Sequence, residues 1–224
     1  MREKLRDVFE NADWSNLSAD ATRSGSGSTL EYTRRLRTAL PGIFERYNVK
    51  TFLDAPCGDW NWMSSVDTSG MHYIGADISH SVIEANKKRY ADKNRMFIEL
   101  DITEDLLPRA DMIMVRDCLF HLKWWLRWAF FENFANSDIP YLFMTMHHQE
   151  KNLRLEVNGK FKRMNPRTPP FNFEEPLEMV HETVDSLPDD LSTVDNLLTV
   201  RSMGIWSREQ VQKAVENYKA TVDA

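Results

Sequence analysis

Three aspartates recur at nearly equal spacing in the first half of the chain, each after an apolar run. Asp54, Asp77 and Asp101 are separated by 23 and 24 residues. Because the carboxyl ends of parallel strands meet at one edge of a sheet, we expect these carboxylates to lie together. A carboxylate after the second strand suits a ribose diol, since it can accept hydrogen bonds from two adjacent hydroxyls. The third could accept from the amino group of adenine, so the spacing predicts a nucleoside pocket.

The elements that must position these acids are short segments rich in β-branched and aromatic residues, separated by helix-like segments. This order predicts an α/β doubly wound sheet. The predicted strands are 51–53, 71–76, 95–100, 111–115, 139–146 and a closing strand at 197–200 with Ile205. The aromatic run 120–134 is better explained by core packing than by a stacking surface.

The turn after the first strand, residues 55–60, carries a single glycine. A dinucleotide fold would have a glycine-rich turn there, which lets a helix N-terminus approach a pyrophosphate. Asp59 would repel a pyrophosphate, but it could accept a hydrogen bond from an ammonium group. The turn therefore favours a nucleoside with a cationic or zwitterionic tail.

Four motifs carry a family resemblance: DAPCGD at 54–59, IGADI at 74–78, LDIT at 100–103 and RDCLFHL at 116–122. With them the chain resembles the class I S-adenosylmethionine-dependent methyltransferases, strongly over residues 51–125 and more loosely near 166–173 and 203–206. The resemblance implies a Rossmann-like sheet of about seven strands, the last one antiparallel, with helices on both faces. It also implies S-adenosylmethionine as the cofactor.

Carried over by motif, the resemblance assigns cofactor-binding residues. Asp54 and Gly58 would flank the methionine part, Asp77 the ribose, and Ile78, Asp101 and Ile102 the adenine. The expected set also includes Ala55, Asp59, Trp60 and Arg116. The turn departs from the broad D-x-G-x-G-x-G pattern of the family at Pro56 and Trp60.

Candidate catalytic residues follow the fourth predicted strand, next to the place where the methyl group would lie. Asp117 and His121 are the first candidates for orienting or deprotonating an acceptor, although Asp117 could instead cap a helix and His121 could be a core histidine. His147, after the fifth strand, is a second candidate. With Asp117 and His121, the pair His147 and His148 could ligate a divalent metal. Adjacent histidines on a strand point to opposite faces and cannot readily share one ion, so we expect no metal site.

Two segments outside the sheet are expected to border the site. Residues 24–28 alternate serine and glycine, which indicates either a flexible linker or a loop that closes over the cofactor. Residues 151–168 hold six basic side chains and one acidic one, and Asn158-Gly159 predicts a hairpin turn there. Such a run is usually solvated surface, but Lys162, Arg163 and Arg167 could bind a phosphate or carboxylate of the acceptor.

Length and composition suit one domain, residues 1–224, with 42% hydrophobic residues. We expect residues 1–50 to form a helical cap with the Ser/Gly loop, and residues 147–176 a hairpin or loop insertion near the acceptor side. The net charge of −6 argues against general nucleic-acid binding. Two cysteines and the absence of a long apolar run indicate a soluble, cytoplasmic protein without a disulfide framework.

Three classes of function remain open at this point. A methyltransferase acting on an oxygen or nitrogen of a small molecule, possibly an anionic or sugar-type one, uses both the acidic edge and the polar acceptor side. A non-catalytic S-adenosylmethionine-binding accessory protein needs only the first half. An NAD(P)-dependent reductase would share Asp77 but lacks the glycine-rich turn.

Overall fold

The computed structural model describes residues 2–11, 22–182 and 200–222. In these residues the helices are α1 (Arg2–Glu10), α2 (Arg34–Arg46), α3 (His80–Tyr90), α4 (Trp124–Ala135) and α5 (Arg208–Val222). The strands are β1 (Thr51–Asp54), β2 (His72–Asp77), β3 (Arg95–Glu99), β4 (Met112–Val115), β5 (Tyr141–His147), β6 (Glu178–His181) and β7 (Arg201–Ser207). Among the described helices, none is both long and apolar enough to cross a bilayer.

The seven strands form one sheet in the order β3-β2-β1-β4-β5-β7-β6. The first five pair in parallel, while β7 runs antiparallel to β5 and β6 antiparallel to β7. Asp54 and Asp77 are the last residues of β1 and β2, and Asp101 lies two residues after β3 ends. The predicted Rossmann-like sheet of seven strands is confirmed, and its topology brings the three acids to one edge.

Both faces of the sheet are buried, which explains the continuous apolar strands. Phe52 packs into the cluster that contains α2, whereas its neighbour Leu53 packs into the cluster that contains α4 and α5. Helix α4 contributes Phe130, Phe131 and Phe134, all fully buried. Each such ring stabilises the fold by about 1.5–3 kcal/mol relative to exposure. The prediction that this aromatic run is core is confirmed for these rings and for Trp128, whereas Trp125 is exposed.

The predicted hairpin in residues 151–168 is wrong, although its turn forms. Gly159 has φ 83° and the Lys160 N–H lies 3.4 Å from the Val157 oxygen. The flanking backbone does not pair with itself, because Gly159 N–H donates to the His121 oxygen at 2.9 Å and Lys162 N–H to the Phe120 oxygen at 3.2 Å. The segment therefore lies along residues 120–121 as a loop.

The carboxyl-terminal strands differ from prediction in two ways. β6, with all four residues only partly buried, has no apolar alternation to identify it. β7 begins at Arg201, after the whole of the predicted 197–200, and contains the predicted Ile205; residues 197–199 lie outside the described part of the chain.

Gly75 in β2 has no room for a side chain. A Cβ there would lie 2.5 Å from Phe97 Cδ1 and 3.1 Å from Tyr73 Cε1. We predict that Gly75→Ala lowers the free energy of unfolding by about 1–3 kcal/mol, through overpacking. The matched control is Gly42→Ala in α2, where a Cβ meets only the flexible end of Arg46 and alanine favours the helix. Urea unfolding should show a lower free energy of unfolding for Gly75→Ala and a higher one for Gly42→Ala. Equal changes in the two variants would contradict this packing account.

Candidate functional site

A cavity of about 440 Å³ opens at the carboxyl edge of the parallel strands. It collects the three strand-end acids together with most of the residues that the sequence predicts for the cofactor and the acceptor. The predicted residues that line it are Asp54, Ala55, Gly58, Asp59, Asp77, Ile78, Asp101, Ile102, Arg116, Asp117 and His121. The sheet topology thus unites residues spread over almost seventy positions of the chain.

Asp101 lines this cavity, and one of its two carboxylate oxygens has no partner among the described residues. Its Oδ1 accepts from the Thr103 N–H at 2.9 Å and from the Thr103 hydroxyl at 2.6 Å. Its Oδ2 is buried and has no hydrogen-bond partner among the described residues. An unpaired buried carboxylate oxygen is costly, so it requires a donor. The exocyclic amino group of adenine is such a donor, and Ile78 and Ile102 supply apolar walls beside it.

Asp77 and Gly58 connect the second strand to the turn after the first. The carboxylate accepts from the Gly58 N–H at 3.1 Å and from the Ser79 N–H at 3.0 Å. Burial raises the pKa of Asp77 to about 6, although these N–H groups lower it. Gly58 has φ 53°, and a Cβ there would lie 2.5 Å from Ser24 Oγ, so this position needs glycine.

Asp54, at the end of β1, is also buried in the acidic edge. It is 2% exposed and accepts from the Tyr73 hydroxyl at 2.6 Å. Burial raises the pKa of this carboxyl to about 7, while Tyr73 and Arg116 act in the opposite direction. A buried carboxylate beside a cationic ligand would regain the electrostatic stabilisation that it loses on leaving water.

The Ser/Gly loop, residues 24–28, forms one wall of the cavity together with Arg23, a position from which it could close over a ligand. Asp59 holds this loop. Its carboxylate accepts from the Thr22 hydroxyl at 2.8 Å, the Arg23 N–H at 2.7 Å and the Ser24 hydroxyl at 3.1 Å. These bonds occupy the oxygens that the sequence offered to a ligand ammonium, and they give Asp59 a role in anchoring the loop.

An ion-pair quartet lies on the opposite side of the cavity. It consists of four buried or half-buried charged residues: Arg116, Asp117, Glu182 and Arg201. Arg116 Nε donates to Glu182 Oε1 at 2.8 Å, and its Nη2 donates to the Gly27 oxygen at 2.5 Å. Arg201 Nη1 donates to Asp117 Oδ2 at 2.6 Å. Arg201 Nε lies 3.1 Å from Glu182 Oε2, which is an ion pair without hydrogen-bond alignment. The quartet joins β4, β6, β7 and the Ser/Gly loop.

Asp117 has left-handed backbone geometry, with φ 52°, and its N–H donates to the Thr145 hydroxyl at 2.9 Å. Burial raises the pKa of Asp117, but the charges of Arg201 and Arg116 outweigh burial and lower it. A carboxylate held ionised by two arginines is a weak base. Of the two predicted roles, the geometry favours orienting over deprotonating the acceptor.

His121 is better suited to accept a proton. Its Nδ1 lies 3.0 Å from the Lys160 carbonyl oxygen, which can only accept, so Nδ1 carries the hydrogen. In the neutral ring Nε2 is then the basic nitrogen. Burial lowers the pKa of His121 below its usual value, although the Lys160 carbonyl raises it. The ring is therefore neutral, and able to act as a base, at physiological pH.

Five predicted site residues do not line the cavity. Trp60 is 1% exposed and packs against Tyr90 in the core. His147 is buried, and burial lowers its pKa to about 4. The three basic side chains lie elsewhere: Lys162 and Arg163 are exposed, and Arg167 pairs with Glu175 at 2.8 Å. The structure thus does not support cofactor contact by the Trp60 side chain, or acceptor contact by the other four side chains.

Sequence reasoning missed Arg201 and Glu182. Neither belongs to a motif with a recognisable spacing, and they reach the site only because β7 inserts between β5 and β6. The segment 203–206, which resembles the methyltransferase family only loosely, lies in β7 and was the sequence feature that could have pointed to this strand. Among the described residues, no three His, Cys, Asp or Glu side chains group as a metal site would require.

No family model matches this chain, and no curated protein matches it in sequence. Solved structures do match. Magnesium protoporphyrin IX methyltransferase (ChlM) from Synechocystis PCC 6803 with bound SAM aligns with TM-score 0.57 and 12% identity, over 92% of this chain and 96% of that one. N-methyltransferase NodS from Bradyrhizobium japonicum WM9 with S-adenosyl-L-homocysteine gives 0.56 and 13%, over 92% and 97%.

The methyltransferase domain of bacterial CtHen1-CN aligns with TM-score 0.55 and 15% identity, over 79% of this chain and 99% of that one. At these identities the likeness concerns the fold. The chain therefore shares the Rossmann-like fold of these methyltransferases, with the acidic cavity at the carboxyl edge of its sheet.

The raised pKa of Asp54 makes folding stability depend on pH. The unfolded carboxyl ionises near pH 4 and the folded one at about 7, so between these values the folded state holds the extra proton and stability falls as pH rises. Asp54→Asn cannot ionise but keeps an acceptor for Tyr73. We predict that this variant loses more stability relative to wild type at pH 5 than at pH 8, by on the order of 2 kcal/mol.

Urea unfolding at the two pH values measures this difference. Asp138→Asn, at an exposed aspartate, is the matched control and should show none. An Asp54→Asn penalty that is equal at pH 5 and pH 8 would contradict the assigned pKa.

Proposed function

We propose that this protein transfers a methyl group from S-adenosylmethionine to an oxygen or nitrogen atom of a small-molecule acceptor. The observation that carries the proposal is the convergence of Asp54, Asp77 and Asp101 in one cavity, with Asp101 Oδ2 buried and unpartnered. The shared fold with three methyltransferases supports it.

The residues present fit the cofactor by type. Asp101 would accept from the adenine amino group, Asp77 would bind the ribose hydroxyls, and Asp54 and Gly58 would border the methionine part. The cofactor supplies an activated methyl group on a positively charged sulfur. The acidic edge suits that charge, and the Ser/Gly loop excludes water from one side of the cavity.

On the acceptor side the chain provides orientation and a base. Methyl transfer is an in-line displacement, so alignment of the acceptor contributes most of the catalysis. Asp117, fixed by Arg201 and by Thr145, orients the acceptor. For a hydroxyl acceptor, His121 Nε2 takes the proton as the new bond to carbon forms. An amine acceptor needs only to arrive unprotonated.

Two alternatives can be tested against this proposal. A non-catalytic binding protein would not need the quartet or His121 beside the cofactor edge. A dinucleotide-dependent reductase would need space and positive charge for a pyrophosphate at the turn after β1, where Asp59 holds the Ser/Gly loop. Calorimetric titration with S-adenosylmethionine, S-adenosylhomocysteine and NAD distinguishes a reductase, which would bind NAD. Label transfer from methyl-labelled S-adenosylmethionine to small molecules of a cell extract distinguishes a methyltransferase from a binding protein, which would transfer no label.

Asp101→Asn tests the adenine assignment. The amide oxygen can keep both Thr103 bonds, which places a donor where the unpartnered oxygen was. We predict that S-adenosylhomocysteine binds at least about tenfold more weakly to the variant, the loss of one charged hydrogen bond. S-inosylhomocysteine, which has an oxygen in place of the amino group, should lose less affinity. Calorimetry showing equal losses for the two ligands would remove Asp101 from the adenine site.

His121→Gln tests the base with an oxygen acceptor found by label transfer. We predict unchanged S-adenosylhomocysteine affinity and a fall in kcat of about 100-fold or more. In the wild type, kcat/KM should rise with pH through a value below 6.5, because burial lowers the pKa of His121. His147→Gln, outside the cavity, is the control and should keep turnover. Full activity in His121→Gln would exclude it as the base.

A further inference from the structure

Arg201 lines the cavity and has a donor that no described residue uses. The residue is 9% exposed, lies at the start of β7 and lines the cavity beside Asp117. Its Nη1 donates to Asp117, and its Nε faces Glu182. Its Nη2 is buried without a hydrogen-bond partner among the described residues. A buried guanidinium nitrogen left in this way costs free energy until an oxygen accepts from it.

The surroundings of the guanidinium restrict where that oxygen can come from. The ring of Tyr32 covers one face, with its centroid 4.2 Å from Arg201 Cζ. Gly27 lies close by, where a Cβ would be 3.0 Å from Nη1, 3.5 Å from Nη2 and 2.7 Å from Asp117 Oδ2. The loop backbone at Gly27 therefore packs tightly against the Nη1 side of the guanidinium, where there is no room for a side chain.

The position separates Arg201 from the acidic cofactor edge. The adenine, ribose and methionine assignments use the ends of β1, β2 and β3, whereas Arg201 contacts Asp117, which follows β4. His121 and the aromatic rings of Phe120 and Phe161 line the same cavity. A ligand group that reaches Nη2 from this direction belongs to the acceptor.

The charge of the quartet indicates what kind of group fits. Two arginines and two acids cancel, so the site does not concentrate free anions by long-range attraction. The remaining Nη2 donor still forms a charge-assisted hydrogen bond, which is strongest with a carboxylate or phosphate oxygen. We therefore expect such a group to bind as part of a molecule that also has an apolar body in contact with Phe120 and Phe161.

We propose that the acceptor carries a carboxylate or phosphate group that Arg201 binds, next to an apolar or aromatic body. This inference rests on the proposed methyl transfer, and it moves the anion-binding role from the surface residues Lys162, Arg163 and Arg167 to a buried arginine. Arg201 thus determines specificity for the acceptor, while Asp117 and Glu182 hold it in place.

The test uses benzoate, phenyl phosphate and neutral benzamide as probes, titrated by NMR into the protein saturated with S-adenosylhomocysteine. Wild type should bind at least one anionic probe about tenfold or more tightly than benzamide. The result also identifies which anion the site prefers. Arg201→Lys keeps the charge but loses the second fork nitrogen, and it should lose this preference. Arg167→Gln, at a surface arginine outside the cavity, should keep it.

A second measurement separates the acceptor from the cofactor carboxylate. S-adenosylhomocysteine has an amino-acid tail, and 5′-methylthioadenosine lacks it. Arg201→Lys should leave both affinities unchanged, which also shows that the variant is folded. A selective loss of S-adenosylhomocysteine would assign Arg201 to the cofactor and overturn the proposal. So would a wild type that does not prefer the anions, or an Arg201→Lys variant that keeps the preference.

Failure of the proposed function gives a different result. A wild type that binds neither adenosyl ligand contradicts S-adenosylmethionine as the cofactor. The anionic probes, titrated without any adenosyl ligand, then still report whether Arg201 binds a carboxylate or phosphate.

Discussion

The ion-pair quartet holds the acceptor half of the site together. Arg116, Asp117, Glu182 and Arg201 come from three strand ends, and Arg116 also binds the Ser/Gly loop through the Gly27 oxygen. Placing one of these charges alone in the interior would cost several kcal/mol, whereas four of alternating sign compensate one another. Each element can therefore dock only when the others are in place. The quartet adds charge pairing to the backbone pairing that joins β4, β5, β7 and β6.

The two halves of the cavity differ in electrostatic character, and each half suits one reactant. Along β1 and β2 the acids are buried, and no basic side chain of the described residues lies at hydrogen-bond distance from them, so burial raises the pKa values of Asp54 and Asp77. These groups gain when a positive charge arrives. Across the cavity the arginines lower the pKa of Asp117. A carboxylate that is already paired changes little on binding, so it can serve as a fixed support for an acceptor.

Asp59, which contacts the Ser/Gly loop, has a different role in the structure from the one that its sequence position suggests. In the sequence, Asp59 is an acid in a phosphate-binding position, which suggests a charge contact with the ligand. In the structure, Thr22, Arg23 and Ser24 donate to it, so that acid fixes a loop that covers the cavity. The loop in turn places Ser24 against Gly58. A close contact between loop and turn explains why the single glycine of residues 55–60 is at this position.

The sequence by itself determined the five parallel strands of the sheet, the acidic edge and most of the cavity lining. Asp54, Asp77 and Asp101 could be placed because strand periodicity and the parallel topology are local and general rules. The hairpin failed because a turn signal at Gly159 does not decide what the flanking backbone binds, and here the chain near His121 competes for those groups. Arg201 and Glu182 could not be found for a related reason. Their function depends on the pairing of β7 with β5 and β6, which is a long-range contact, and on a charge balance among four residues distant in sequence. Only the tertiary structure brings those charges together, because the spacing of residues along the sequence does not predict which distant residue pairs with a buried charge.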